Sequence, residues 1–102
     1  MKKKFSKKKR NKFKRKEELK KYLFAILEKA KCADCETKNI IVLEFDHREP
    51  KKKKHNISSI MRNVLSMKIL KEELKKCDIV CANCHRVRTA TQFGNWRLKR
   101  PA

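Results

Sequence analysis

The sequence has few hydrophobic residues, few acidic residues and no long apolar run. Each of these shortages excludes some classes of protein. The apolar stretch behind its basic N-terminus, Tyr22 to Leu27, is closed by Glu28 and is far shorter than the roughly 20 residues of a membrane span. No small-residue cleavage site follows it cleanly, so we expect no export signal. Because only 39% of the 102 residues are hydrophobic, we expect one domain whose small core needs a metal or disulfides.

The charge of the chain is strongly one-sided. It has 31 Lys and Arg residues against 11 Asp and Glu, which gives a formal net charge of +20. This excess indicates a polyanionic partner, with nucleic acid as the first candidate and an anionic membrane surface as the second. Residues 1–16 form a Lys/Arg tract that we predict to be a disordered arm gripping DNA phosphates, the alternative being a solubility tail. Residues 95–102 form a basic C-terminal tail.

Five cysteines are present, and four of them form two C-x-x-C pairs. An odd count with this pairing argues against a secreted disulfide framework and favours metal binding in a reducing, intracellular compartment. Cys32, Cys35, Cys81 and Cys84 are the ligand types and spacing that a structural zinc ion takes, whereas four buried free thiols are the alternative. The remaining Cys77 is expected to be a small buried residue rather than a ligand.

The hydrophobic spacing predicts an α+β fold with four helices and two short strands. The predicted elements are a helix over 17–31, a strand over 40–45, helices over 57–65 and 67–74, a strand over 78–80 and a helix over 85–93. Ser66 is expected to cap the fourth of these elements and Gly94 to end the last one. The 45 residues between the cysteine pairs imply that zinc joins the end of the first helix to the start of the last. Residues 17–94 are therefore expected to form the folded domain.

Asp46 and His47 are adjacent at the end of the first predicted strand, and His85 directly follows Cys84. Zinc would draw the start of the last helix towards that strand, so we expect His85 to meet Asp46 across a shared divalent ion. Phosphodiester cleavage needs an activated water, a Lewis acid on the phosphate and a stabilised leaving oxygen. An imidazole suits the first need and a metal on a carboxylate and an imidazole suits the others. Taken singly, each of these residues is more often structural than catalytic.

The residues from about Cys32 to Thr89 resemble the cysteine-containing HNH endonucleases. The match is carried by the sequence LEFDH at 43–47, by the two cysteine pairs and by the segment KCDIVCANCHR at 76–86. The resemblance implies a ββα-metal core in which Asp46 and His85 hold a catalytic Mg²⁺ or Mn²⁺ ion. It further implies that His47 is the general base and that the four cysteines hold a structural zinc. Compact nucleases of this kind are common in phage and mobile elements.

One position departs from the family pattern, because Lys76 stands where a middle Asn braces the loop that bears the base. Either Asn83, Asn63 or Asn56 takes that role, or the loop is braced in another way. Other polar residues near the motif have less specific interpretations: His55 is expected to be non-catalytic, and Arg86 and Arg88 either contact phosphate or belong to a solvated helix face.

The sequence therefore predicts a metal-dependent DNA endonuclease. The alternative is a non-catalytic, zinc-dependent module that binds nucleic acid. A third interpretation is a subunit that depends on a protein partner for targeting.

Overall fold

The computed structural model describes residues 7–102 and has the predicted α+β fold. The described residues form four helices and one two-stranded antiparallel sheet. In chain order the elements are α1 (Lys7–Glu28), β1 (Leu43–His47), α2 (Ile57–Asn63), α3 (Met67–Leu74), β2 (Cys77–Cys81) and α4 (Ala82–Phe93). Single 3₁₀ turns lie at Ile40–Val42, Pro50–Lys52 and Trp96–Leu98. None of the described helices combines the length and apolar character that crossing a membrane requires.

The first helix begins ten residues earlier than the sequence predicts, at Lys7 instead of residue 17. Residues 7–16, predicted to be a disordered arm, are therefore helical, while residues 1–6 of that predicted arm lie outside the described part of the chain. The physical reason is that Lys and Arg are good helix formers and that neither Gly nor Pro interrupts the tract. Leu19 is fully buried and anchors the continuous helix to the core. The helix ends at Glu28, short of the predicted residue 31.

The first strand is shifted along the chain relative to its prediction. Residues 40–42 form a 3₁₀ turn, because the side chain of Asn39 accepts a hydrogen bond from the backbone N–H of Ile41 at 3.1 Å. The strand then runs from Leu43 to His47 and pairs with β2 in a register that sets Asp46 opposite Asp78. Helix α4 follows β2 without a loop and contacts both strands, so these three elements form a ββα unit.

Two groups of buried side chains form the core. The first group joins α1, α2 and α3 and contains Leu19, Ile60, Val64 and Leu70. The second group lies at the sheet and contains Cys32, Leu43, Val80 and Cys81. Two predicted caps are confirmed: the Ser66 side chain accepts the Ile69 N–H at 3.2 Å at the start of α3, and Gly94 ends α4 with a positive φ of 86°. The cysteine pairs are thus continuous with the core of the sheet.

Candidate metal centre and candidate active site

The four predicted zinc-binding cysteines lie together. One ligand atom from each of Cys32, Cys35, Cys81 and Cys84 lies within 4.8 Å of the other three, and the sulfurs of Cys35 and Cys81 are 3.6 Å apart. Sulfurs bound at about 2.3 Å to one tetrahedral zinc would be roughly 3.8 Å apart, so the cluster suits that ion. In each pair the second cysteine donates its backbone N–H to the first sulfur at 3.4 Å. The cluster is compatible with a structural metal ion such as zinc.

The protonation chemistry of the cluster also favours a bound cation. Burial raises the pKa of the Cys32 thiol, but hydrogen bonds with the backbone of Cys35, Cys81 and Asp34 outweigh burial and bring it to about 6. The contact with Cys81, together with burial, instead raises the pKa of the Cys84 thiol. Crowding therefore opposes the ionisation of all four thiols at once unless a cation shares their charge.

Cys77 stands apart from this cluster. It is the first residue of β2, and its thiol donates a hydrogen bond to the backbone oxygen of Glu73 at 3.4 Å. Burial raises the pKa of this thiol to about 11, so it is protonated at neutral pH. A protonated thiol outside the cluster is neither a metal ligand nor a nucleophile.

The end of β1 and the first turns of α4 meet at His85. Its Nε2 atom lies 3.3 Å from Oδ1 of Asp46, and its Nδ1 atom lies 2.7 Å from Oε2 of Glu44. Glu44 and Asp46 are two residues apart on one strand, so they project from the same side of the sheet towards α4. Neighbouring ligands of an octahedral magnesium ion are separated by roughly 3 Å. The separation of Asp46 Oδ1 from His85 Nε2 is close to that value, and the Glu44 carboxylate orients the imidazole from its other nitrogen.

His47 projects from the other side of β1, towards α3. Its Nε2 atom lies 2.8 Å from Oε2 of Glu73, and the two side chains are only 8% and 2% exposed. His47 nevertheless lines the same cavity as Asp46 and His85, a space of about 630 Å³ between β1, the start of α2 and α4. The three residues that the sequence analysis singled out are thus brought to one cavity by two elements of the ββα unit.

Arg88 is held by carboxylates from three separate segments. Its Nε and Nη2 atoms donate to both oxygens of Asp34 at 2.7 and 2.8 Å, and Nη1 donates to Asp46 at 3.2 Å and Asp78 at 3.0 Å. These hydrogen bonds lower the pKa of Asp34 and of Asp78. The expectation that Arg88 contacts phosphate does not fit this geometry, because every guanidinium nitrogen is engaged within the protein. Arg88 instead ties the first cysteine turn, the sheet and α4 together.

The other predicted polar residues are spread over different surfaces. Arg86 is exposed on α4, as is Asn83 in its first turn, and both line a shallow surface that contains neither Asp46 nor His85. Arg86 also lines a second groove together with Glu44 and His85. Asn56 precedes α2 and lines that cavity, whereas Asn63 is the last residue of α2. His55 is half-buried in the loop before α2. Asn83 is therefore not placed to brace the loop that bears His47.

Sequence reasoning missed the two carboxylates that hold the histidines. Glu44 precedes Asp46 by two residues, and the period of a strand was a signal that both would face the same element. Glu73 gave a weaker signal, since it lies between Leu70 and Leu74 on the core-facing side of α3. Its partner Lys76 donates to Oε1 of Glu73 at 2.7 Å and to the backbone oxygen of Lys52 at 3.1 Å.

Comparison of the chain with protein-family models, with curated proteins and with solved structures finds no match. The features of this chain that bear on its function are the geometry of the ββα unit, the cysteine cluster and the net charge.

Proposed function

We propose that this protein is a metal-dependent endonuclease of the HNH type that hydrolyses phosphodiester bonds in DNA. The observation that carries the proposal is the 3.3 Å approach of His85 Nε2 to Asp46 Oδ1, in a cavity that His47 also lines. A carboxylate and an imidazole at this separation can bind one hard divalent ion, and a second imidazole beside them can accept a proton.

The charge of the surroundings supports a phosphate-containing substrate. The chain has a net charge of +20, although the site itself is rich in carboxylates that are paired with Arg88, His85 or Lys76. The basic run Lys51–Lys54 lies in the loop between β1 and α2, and Lys53 lines the cavity. Exposed cations around a pocket raise the local concentration of a polyanion and contribute affinity without sequence preference.

The residues would divide the reaction as follows. His47 accepts a proton from a water molecule, whose oxygen forms a bond to phosphorus while the phosphorus–oxygen bond to the leaving strand breaks. Asp46 and His85 would hold an Mg²⁺ or Mn²⁺ ion, which would supply Lewis-acid activation of the phosphate and stabilisation of the leaving oxygen. Glu44 keeps the imidazole of His85 oriented, and the cysteine cluster fixes the start of α4 without taking part in the chemistry.

One observation favours a second candidate, a zinc-dependent module that binds nucleic acid without cutting it. Asp46 already has Arg88 as a partner, and His47 already has Glu73, so both polar groups are satisfied without a substrate or a second metal. Such pairing is what a purely structural network would require. The two candidates differ in one respect that is simple to measure, which is turnover.

The direct test incubates the purified, zinc-loaded protein with supercoiled plasmid, with and without Mg²⁺ or Mn²⁺. Conversion to nicked or linear DNA only when the divalent ion is added supports the endonuclease. His47→Ala serves as the inactive variant and His55→Ala as its matched control, because His55 lies outside the proposed chemistry. Binding of the plasmid without any cleavage, under all metal conditions, would instead support the binding module.

A further inference from the structure

A line of polar contacts, buried at its His47 end, runs from His47 through Glu73 of α3 to the loop after β1. The Glu73 carboxylate contacts His47 Nε2 through Oε2 at 2.8 Å and Lys76 Nζ through Oε1 at 2.7 Å. Lys76 Nζ also donates to the backbone oxygen of Lys52 at 3.1 Å. Within residues 11–102, Glu73 is the one buried charged residue, with 1% of its surface exposed.

The burial of the Glu73 carboxylate beside the hydrophobic core is unusual for a charged group. Glu73 lies on the core-facing side of α3, between the core residue Leu70 and Leu74, which packs against the same core. Burying a charge costs free energy unless it is paired and hydrogen-bonded, and an apolar residue at the same place is often equally stable. Lys76 supplies the compensating charge, so the carboxylate stays ionised. The feature that an apolar residue could not provide is the hydrogen bond between this carboxylate and the ring of His47.

We infer that Glu73 is a positioning residue for His47 and that Lys76 holds Glu73 in place. An ionised carboxylate can only accept hydrogen bonds, so the Nε2 atom of His47 must carry the hydrogen. The ring is then fixed in the tautomer whose lone pair is on Nδ1. This inference rests on the proposed function, in which His47 is the base.

The same contact supports the proton transfer itself. When the O–H bond of the attacking water breaks and an N–H bond forms at Nδ1, the ring becomes a cation, and the adjacent Glu73 carboxylate stabilises it. Glu73 does not take up a proton in this step, because Lys76 keeps it ionised. A carboxylate that orients a catalytic imidazole in this way has a large effect on rate in other hydrolases, on the order of 10⁴-fold when it is replaced by an amide.

The test compares Glu73→Gln with Glu72→Gln, an exposed neighbour on α3 that serves as the matched control. A glutamine amide can donate a hydrogen bond to Nε2 and so permits the opposite tautomer, with the hydrogen on Nδ1. The ¹⁵N chemical shifts of the His47 ring, measured in the full zinc-loaded chain, report the tautomer directly. We expect Nε2–H in the wild type and in Glu72→Gln, and a shift towards Nδ1–H in Glu73→Gln.

The second readout is single-turnover cleavage alongside DNA affinity. Glu73→Gln should slow cleavage by roughly 10²-fold or more while leaving the dissociation constant for DNA and the zinc content unchanged. Cleavage by Glu73→Gln within about twofold of the wild-type rate would overturn the inference, and so would an Nδ1–H tautomer in the wild type. The wild-type tautomer needs no variant, so the test survives if Glu73→Gln does not fold. A wild-type protein that fails to cleave would refute the proposed function separately.

Discussion

The Nε2 atom of His85 lies 3.3 Å from the Oδ1 atom of Asp46, which joins the first turns of α4 to the end of β1. His85 directly follows Cys84, so the cysteine cluster that fixes the start of α4 also fixes this contact. Arg88, one turn further along the helix, bonds both Asp46 and Asp34, and Asp34 lies inside the first cysteine turn. The candidate metal centre and the candidate active site are therefore linked, because both depend on how the start of α4 packs against the sheet.

The protein is expected to bind about one zinc ion per chain, with metal binding coupled to folding. Cys32→Ser and Cys84→Ser should each lose the metal and unfold the domain, as measured by elemental analysis and circular dichroism. Cys77→Ser is the matched control and should keep both metal and fold, because its sulfur lies outside the cluster. Folded protein that contains no zinc would contradict this prediction.

Replacing Arg88 should destabilise the fold even when the positive charge is kept. Lysine cannot reproduce the forked contact with both oxygens of Asp34 while also reaching Asp46 and Asp78. We expect Arg88→Lys to lower the midpoint of thermal unfolding by about 4–8 °C or more. In a domain of this size, a shift of that range follows a loss of about 1 kcal/mol in the free energy of unfolding. The control is Arg86→Ala on the exposed face of α4, which should leave the midpoint nearly unchanged.

Glu73 should make the domain sensitive to acid. Burial raises the pKa of its carboxyl, but hydrogen bonds from Lys76 and His47 outweigh burial and lower the pKa from 4.5 to about 2. A lowered pKa in the folded state means that the stabilisation is complete above pH 4.5 and is lost as the pH falls towards 2. The difference between the two pKa values corresponds to on the order of 3 kcal/mol of stability. Solvent screens this contribution little, because the Glu73 side chain is almost fully buried.

The measurement for Glu73 is the difference in the free energy of unfolding between wild type and Glu73→Gln. Denaturant titrations at pH 6 should show nearly all of the difference, and titrations at pH 3 should show less than half of it, because pH 3 lies between the two pKa values. Elemental analysis of both proteins at each pH checks that they carry the same full zinc content, so that the comparison isolates the carboxyl. An equal difference at both pH values would contradict the prediction.

Two groups of four cations should contribute differently to DNA binding. Lys12, Lys14, Arg15 and Lys16 lie on α1, and Lys51–Lys54 lie in the loop beside the cavity. Replacing either group with glutamine should flatten the dependence of the logarithm of affinity on the logarithm of salt concentration, by about 0.9 for each duplex phosphate that the protein no longer neutralises. Only the loop group should also slow cleavage under saturating DNA. Unchanged salt slopes would mean that neither group touches DNA.

The sequence was sufficient where a recognisable motif or a helical period carries the signal. The spacing of the cysteine pairs predicted the cluster, and helix periodicity with the Ser66 cap predicted α3. The predicted start of α1 was wrong because two local effects oppose each other in the basic tract. Repulsion between like charges disfavours an ordered structure, whereas the helix propensity of Lys and Arg favours a helix. In the structure the helix is continuous from Lys7 to Glu28.

The sequence was insufficient where a contact joins distant residues that belong to no such motif. The pairing of His47 with Glu73 spans 26 positions and that of Arg88 with Asp34 spans 54, and no periodicity encodes either. The family resemblance aligned Lys76 with a bracing asparagine and left that role open. In the structure Lys76 donates a hydrogen bond to the backbone oxygen of Lys52, in the loop that follows His47. Lys76 is therefore a more direct candidate for the bracing role than Asn83.

The most direct test of the account is the rate of DNA cleavage under single-turnover conditions in Mg²⁺ and in Mn²⁺. His47→Ala should be slower than the wild type by about 10²–10⁴-fold in either metal, because the base is gone. Asp46→Ala and His85→Ala should lose activity in Mg²⁺ and partly recover it in excess Mn²⁺, since their defect is weakened metal binding. His55→Ala should cleave like the wild type. A wild-type protein that binds DNA but cuts it in neither metal, or a His47→Ala variant with the wild-type rate, would contradict the account.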